Sequence, residues 1–220
     1  MPNEYDRQLV LQLLTGVDDK IIEDGTTHLR GKAKIAKEDA ITIRLNAKVG
    51  PEVLKDLVDR LGKLTAKSRL YIRGHGDWIN QRVGSCSAEG LADLIGRFLP
   101  KTLLISVAAC QAGRDKGSGE AHRVVMSADS FASKFHKLLK EKGCKARLYA
   151  RVYVVRVRPS GTKGTGTSNS HEAVTHRKRS KNLFDWNGDD QIRRWVDYDN
   201  RSHPENWEDV DQYAVEHFLV

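Results

Sequence analysis

Ser68-Arg69-Leu70-Tyr71-Ile72-Arg73-Gly74-His75-Gly76 and Leu103-Leu104-Ile105-Ser106-Val107-Ala108-Ala109-Cys110-Gln111-Ala112-Gly113 are the two stretches that decide the fold. Each is a short apolar run ending near a residue able to do chemistry, His75 in the first and Cys110 in the second. Between them Leu91, Leu94, Ile95, Phe98 and Leu99 recur at helical spacing, with Ser87 placed to cap the start, Glu89 in the first turn and Pro100 as the stop. The pattern reads strand, helix, strand. In an open parallel sheet the carboxyl ends of the strands border the crevice where sites are built, so His75 and Cys110 are expected side by side at that edge.

Outward from this unit the same alternation continues. Residues 9–14 read as a first strand, and residues 21–37 as a loop or short helix carrying Arg30, Lys32, Lys34 and Lys37. Residues 40–45 read as a second strand. Pro51 then opens a helix with Val53, Leu54, Leu57, Val58 and Leu61 on one face and Gly62 behind it. Residues 127–142 read as a helix with Phe131, Phe135, Leu138 and Leu139 inward, and residues 146–158 return to strand character. This is the signature of an α/β protein with a mostly parallel central sheet flanked by helices. The expected organisation is a catalytic core over residues 1–158, a basic loop and flap region over 159–203, and an acidic terminal helix over 204–220. In the last of these Trp207, Val210, Ala214 and Phe218 share a face.

The three cysteines, Cys86, Cys110 and Cys144, have no CxxC spacing and an odd count, which excludes a disulfide framework and favours a reducing compartment. His171 and His176 stand five apart, out of phase on a helix, so no zincin motif and no metal site is expected. No apolar run approaches the roughly 20 residues of a membrane span, so no stable membrane insertion is expected, and no export signal opens the chain. Net charge is +8, yet residues 204–220 hold five acidic residues and no Lys or Arg, so the body is more basic still. A basic body invites a polyanion such as nucleic acid, an acidic membrane or an inositol phosphate. Few aromatics interleave with Arg177-Lys178-Arg179-Ser180-Lys181, which disfavours single-stranded nucleic acid.

A cysteine that transfers acyl groups needs an imidazole to carry protons and N–H groups aimed at the developing oxyanion. His75 and Cys110 provide the first two. Gly76 lets the backbone come close to a substrate and leaves an amide for the oxyanion. The loop opened by Gln111 would border the cleft and shape the substrate site. The bland alternative is a buried core thiol beside a turn histidine.

Gly74-His75-Gly76 at one strand end and Ala108-Ala109-Cys110 at the next resemble the catalytic strands of the caspase-like (clan CD) cysteine peptidases. The run from Cys86 to Ile95 and on to Cys110, with the opening residues 4–13 and Leu29-Arg30-Gly31-Lys32, is similar to the autoprocessing cysteine protease domains of large bacterial toxins. The resemblance covers most of residues 4–165. It implies a caspase-like layered sandwich with a C-terminal β-flap, and a Cys110/His75 dyad acting with the N–H groups of Gly76 and Cys110. It also implies activation by inositol hexakisphosphate, with Arg30, Lys32, Arg177, Lys178, Arg179 and Lys181 as cationic ligands.

In this group the residue two before the cysteine helps to set P1 preference. Ala108 stands there and offers no charge partner, so an apolar P1 such as leucine is expected. The substrate would be the protein itself, its parent toxin or host proteins, and the setting a secreted bacterial protein in the host cytosol. Residues 1–4 hold no leucine, so a family-like self-cleavage site is expected outside these 220 residues. The alternative from another class is a basic binding module in which the dyad is unused.

Overall fold

The two decisive stretches form β3 (Arg69–Arg73) and β6 (Leu104–Ala108), which lie adjacent and parallel, with Arg73 opposite Ala108. In this computed structural model the described residues are 5–116, 127–153, 155–165, 181–196, 203–206 and 209–210. Around the central pair the main sheet adds β1 (Gln8–Leu14), β2 (Ala40–Arg44), β7 (Arg147–Arg151), β10 (Lys181–Asn187) and β11 (Asp190–Trp195). The spatial order is β11-β10-β7-β6-β3-β1-β2. The five strands from β7 to β2 are parallel, and β10 and β11 extend the edge antiparallel. Short hairpins β4–β5 (Gly76–Asp77 with Arg82–Val83) and β8–β9 (Val155–Val157 with Lys163–Thr165) stand outside the main sheet.

Helices cover both faces because side chains alternate along each strand. From β1, Leu9, Leu11 and Leu13 enter the larger core with α2 (Pro51–Leu61), α3 (Ala88–Ile95) and α4 (Phe131–Glu141). Val10 points the other way and meets Leu29 of α1 (Asp19–Ala33) together with Tyr71 and Ile35. The caps read from sequence are in place. Ser87 Oγ accepts from Gly90 N at 3.1 Å, Pro51 occupies the first turn of α2, and Gly62 follows it. No described helix is long and apolar enough to cross a membrane.

Several expectations shift. Residues 21–37, read as a loop or short helix, are helical up to Ala33, within a 15-residue helix that starts at Asp19 and is closed by Lys34. α4 begins at Phe131 rather than at residue 127, because Ser130 caps it by accepting from Ser133 N at 3.1 Å. Residues 146–158, read as one strand, divide into β7 and β8. The boundary expected at residue 158 falls inside the β8–β9 hairpin, and the segment expected to be loop and flap contributes β10 and β11 to the main sheet. Of the expected terminal helix, 204–220, the described residues are Pro204–Asn206, which form a single 3-10 turn, and Asp209 and Val210. Val210 is buried against Val152 and Trp195.

Candidate active site

The chain leaves β1 through α1 on one face of the sheet and leaves β3 through α3 on the other. Between β1 and β3 the connections therefore diverge, which opens a crevice at the carboxyl ends of the strands. His75 lies two residues past the end of β3 and Cys110 two past the end of β6, equal steps from the register pair Arg73 and Ala108. Both are half-buried. The sequence prediction that they share one sheet edge is met.

Gly76 fixes how closely the two turns approach. A Cβ built there would fall 2.9 Å from Cys110 N and 2.7 Å from its carbonyl carbon, and nearer still to its carbonyl oxygen, so no side chain fits. On the far side the Cys110 turn is tied down by Gln111 N to Tyr153 O at 3.2 Å, Gly113 N to Arg151 O at 2.8 Å and Ala132 N to Ala112 O at 2.9 Å. Gln111 itself has a left-handed backbone with φ of 53°. The nucleophile candidate is thus carried on a clamped loop rather than a free one.

His75 Nε2 lies 3.3 Å from the carbonyl oxygen of Asp18. A carbonyl oxygen only accepts, so the hydrogen bond assigns the proton to Nε2 and leaves Nδ1 as the basic nitrogen. Asp18 presents that carbonyl from a left-handed backbone, φ 51° and ψ 24°. Asp19 secures the turn, its carboxylate accepting from Thr15 N and Gly16 N at 2.9 Å each. Sequence reasoning missed this support, because it is made by a backbone atom that any residue supplies. A cavity of about 210 Å³ beside His75 is lined by Thr15, Val17, Asp18, Asp77, Arg82 and Ser85.

The other two thiols sit differently. Burial pushes the Cys86 thiol up, with nearby Arg82 opposing, and burial alone pushes Cys144 up to about 12. Such thiols stay protonated and inert near neutrality.

A second cavity, about 280 Å³, lies between α1 and the sheet, away from His75. Lys32, Arg69, Arg151 and Lys181 line it with Tyr71 and Tyr149, and its described lining contains no acidic residue. Arg69 lies over the Tyr71 ring at 4.4 Å and Lys181 over Tyr149 at 4.2 Å. Arg69 Nε is buried without a hydrogen-bond partner among the described residues. Gly161, φ 71°, at the β8–β9 turn packs so tightly on His28 and Lys32 of α1 that no Cβ fits there. Of the cationic ligands expected from sequence, Lys32 and Lys181 line this cavity. Arg30 does not; it donates to Ala36 O at 3.2 Å at the end of α1. Arg177, Lys178 and Arg179 lie outside the described residues. Arg69 and Arg151 were not foreseen, although they face the cavity from strand positions. Ala108, expected at the P1 site, also lines this cavity from the strand that leads to Cys110.

The strand order, the parallel central sheet and the two strand-end residues describe a caspase-like α/β domain, and comparison with known families agrees. The sequence profile of the Peptidase C80 family matches residues 3–165. No curated protein gives a significant match. The match spans β1 through the β8–β9 hairpin and includes both strand ends, so this chain belongs to the Peptidase C80 family, a cysteine peptidase family of the CD clan, and is a hydrolase.

Proposed function

We propose that Cys110 and His75 are the catalytic dyad of this peptidase. The observation that carries the reading is that they end neighbouring parallel strands, with Gly76 packed directly on the Cys110 backbone. In the proposed reaction His75 takes the thiol proton and the sulfur attacks the scissile carbonyl carbon, forming a C–S bond and an oxyanion. The oxyanion is received by N–H groups of Gly76 and Cys110. Collapse breaks the C–N bond as His75 returns the proton to the leaving amine, and water then hydrolyses the thioester with His75 as base.

We further propose that inositol hexakisphosphate is the activator and that it occupies the cavity lined by Lys32, Arg69, Arg151 and Lys181, with Arg177, Lys178 and Arg179 as additional ligands. Four converging cations with no acidic neighbour in the described lining support this reading. So does the continuity of the site: Ser106 and Ala108 of β6 line the cavity, and the same strand leads to Cys110. Binding there biases the populations of two arrangements of the strand end. An apolar P1 such as leucine fits the uncharged Ala108 two residues before Cys110, and the exposed Val17 provides apolar surface in the cavity beside His75. A reducing host compartment containing inositol phosphate suits both the thiol and the activator.

The test is alkylation of Cys86, Cys110 and Cys144 followed by peptide mass spectrometry, with and without inositol hexakisphosphate, beside cleavage of a leucine-containing peptide library. Selective Cys110 labelling that rises with the ligand, and loss of cleavage in Cys110→Ala, are expected. Three equally slow cysteines would reject the dyad.

A further inference from the structure

The proposed oxyanion site takes one N–H from Gly76 and one from Cys110, and these belong to different segments. Gly76 opens the β4–β5 hairpin, while Cys110 lies in the loop after β6. Donors on separate segments serve one oxygen only if the segments are held in register. The packing of Gly76 on the Cys110 backbone limits how closely they approach, but it does not stop them from parting.

The hairpin is braced within itself. Gly84 N donates to His75 O at 2.7 Å, and near the tip the Asp77 carboxylate accepts from Asn80 N at 3.0 Å and Asn80 Nδ2 at 2.7 Å. The loop after Cys110 is braced too, with Arg114 N donating to Gln111 O at 3.0 Å besides the bonds to Tyr153 and Arg151. Gln81 joins the two units. Its Nε2 donates to Trp78 O within the hairpin and, across the gap, to Arg114 O at 3.0 Å. Both partners are carbonyl oxygens, which only accept, so the amide nitrogen is the atom that faces them. The buried Arg114 guanidinium lies over the Trp78 ring at 4.3 Å and spans the same gap.

The amide is costly where it stands. Gln81 has a left-handed backbone, φ 54°, and its Oε1 is buried with no hydrogen-bond partner among the described residues. Glycine would suit the turn and an apolar side chain would pack without the unsatisfied oxygen. Neither could make the link to Arg114 O.

We propose that Gln81 is a positioning residue for the oxyanion site, tying the hairpin to the Cys110 loop so that the Gly76 and Cys110 N–H groups aim at one point. The inference rests on reading Cys110 as the nucleophile served by those two donors. It separates two reactions of the same thiol. Acyl transfer passes through an oxyanion and needs the link, whereas alkylation forms no oxyanion and does not. The imidazole is anchored separately, through Asp18 O.

The experiment uses the full chain with inositol hexakisphosphate present. It measures p-nitrophenolate release from N-acetyl-leucine p-nitrophenyl ester, inhibition by N-acetyl-leucinal, and alkylation of Cys110 by iodoacetamide. Gln81→Met keeps the length of the side chain and removes the donor. It should slow esterolysis by about tenfold or more and weaken the aldehyde, whose adduct places an oxygen in the same site, by a similar factor. Iodoacetamide labelling should stay within about twofold. A parallel fall in esterolysis and labelling, or unchanged esterolysis, overturns the proposal and leaves the dyad standing. Selective labelling of Cys110 without esterolysis in the wild type overturns it as well, since the site then has no oxyanion function to position. A wild-type Cys110 labelled no faster than Cys86 and Cys144 instead rejects the nucleophile reading, and this inference with it. Should Gln81→Met fail to fold, Gln81→Gly decides, because glycine adopts φ 54° without strain. The same split between esterolysis and labelling is expected there, and its absence overturns the proposal.

Discussion

His75 Nε2 meets the carbonyl oxygen of Asp18 at 3.3 Å, so the loop after β1 sets the tautomer of the imidazole at the end of β3. The contact comes from backbone, and the Asp18 conformation, not its charge, is what matters. Asp18→Asn tolerates the same left-handed φ and should keep kcat/KM within about twofold. Asp18→Val, β-branched at φ 51°, displaces the carbonyl and should lower kcat about tenfold or more, for a stability loss of about 1–2 kcal/mol. Peptide cleavage with thermal melts on both variants checks this. A large loss in Asp18→Asn would instead assign the work to the carboxylate.

The reasons for what was legible in the chain are local. β3, β6 and α3 carry strong periodic apolar patterns, and Ser87 and Pro51 announce helix starts by chemistry that acts within one turn. The full length of α1 was hidden because its inner face is Ile22, Gly25, Thr26 and Leu29, and two of those four are small or polar to accommodate Arg73. An apolar stripe never forms, so the period is weak. β10 was masked by the dense basic run that precedes it and by its own sequence, in which the polar Asn182 and the adjacent Leu183 and Phe184 are all buried and no two-residue alternation shows. Arg69 and Arg151 read as ordinary strand arginines until the strand order places β3, β6 and β7 side by side. The support given to His75 by Asp18 has no residue-type signal at all.

Gly76 is required by distance to Cys110 and not by its φ. Gly76→Ala must push the Cys110 turn away, since its Cβ would lie 2.7 Å from the Cys110 carbonyl carbon. A displacement of about 1 Å at a reacting group is expected to lower kcat by about 100-fold. Circular dichroism should remain native, because the main sheet does not depend on the β4–β5 hairpin. Native-like turnover would mean that the oxyanion site lies elsewhere.

The cation cavity predicts a graded response to charge removal. Lys32→Gln and Arg69→Gln should each weaken inositol hexakisphosphate binding by about tenfold or more, the usual worth of a charge-assisted contact. Arg30→Gln should change it far less, because Arg30 points to Ala36 O. Titration calorimetry over a range of salt concentrations would reveal both effects. If Arg30→Gln proves as damaging as Lys32→Gln, the ligand is bound outside this cavity.

Stability should fall in mild acid because of His136. The ring is fully buried: Nε2 lies 2.7 Å from Ala146 O, Nδ1 lies 2.8 Å from Gln191 Nε2, and the ring stacks on Trp186 at 4.4 Å. Burial drags its pKa down to about 4 from 6.5, against smaller upward pulls from the Ala146 bond and Asp185. A folded-state value below the unfolded one means that the unfolded chain binds the extra proton. The contribution is complete above the unfolded value of 6.5 and is lost as pH falls towards about 4. The expected loss across that window is about 3 kcal/mol, at up to about 1.4 kcal/mol per pH unit. Urea unfolding at several pH values should show this slope in the wild type. In His136→Gln, which loses the titrating group, the slope should flatten even though the variant starts less stable. An equal slope in both proteins would place the acid sensitivity on other groups.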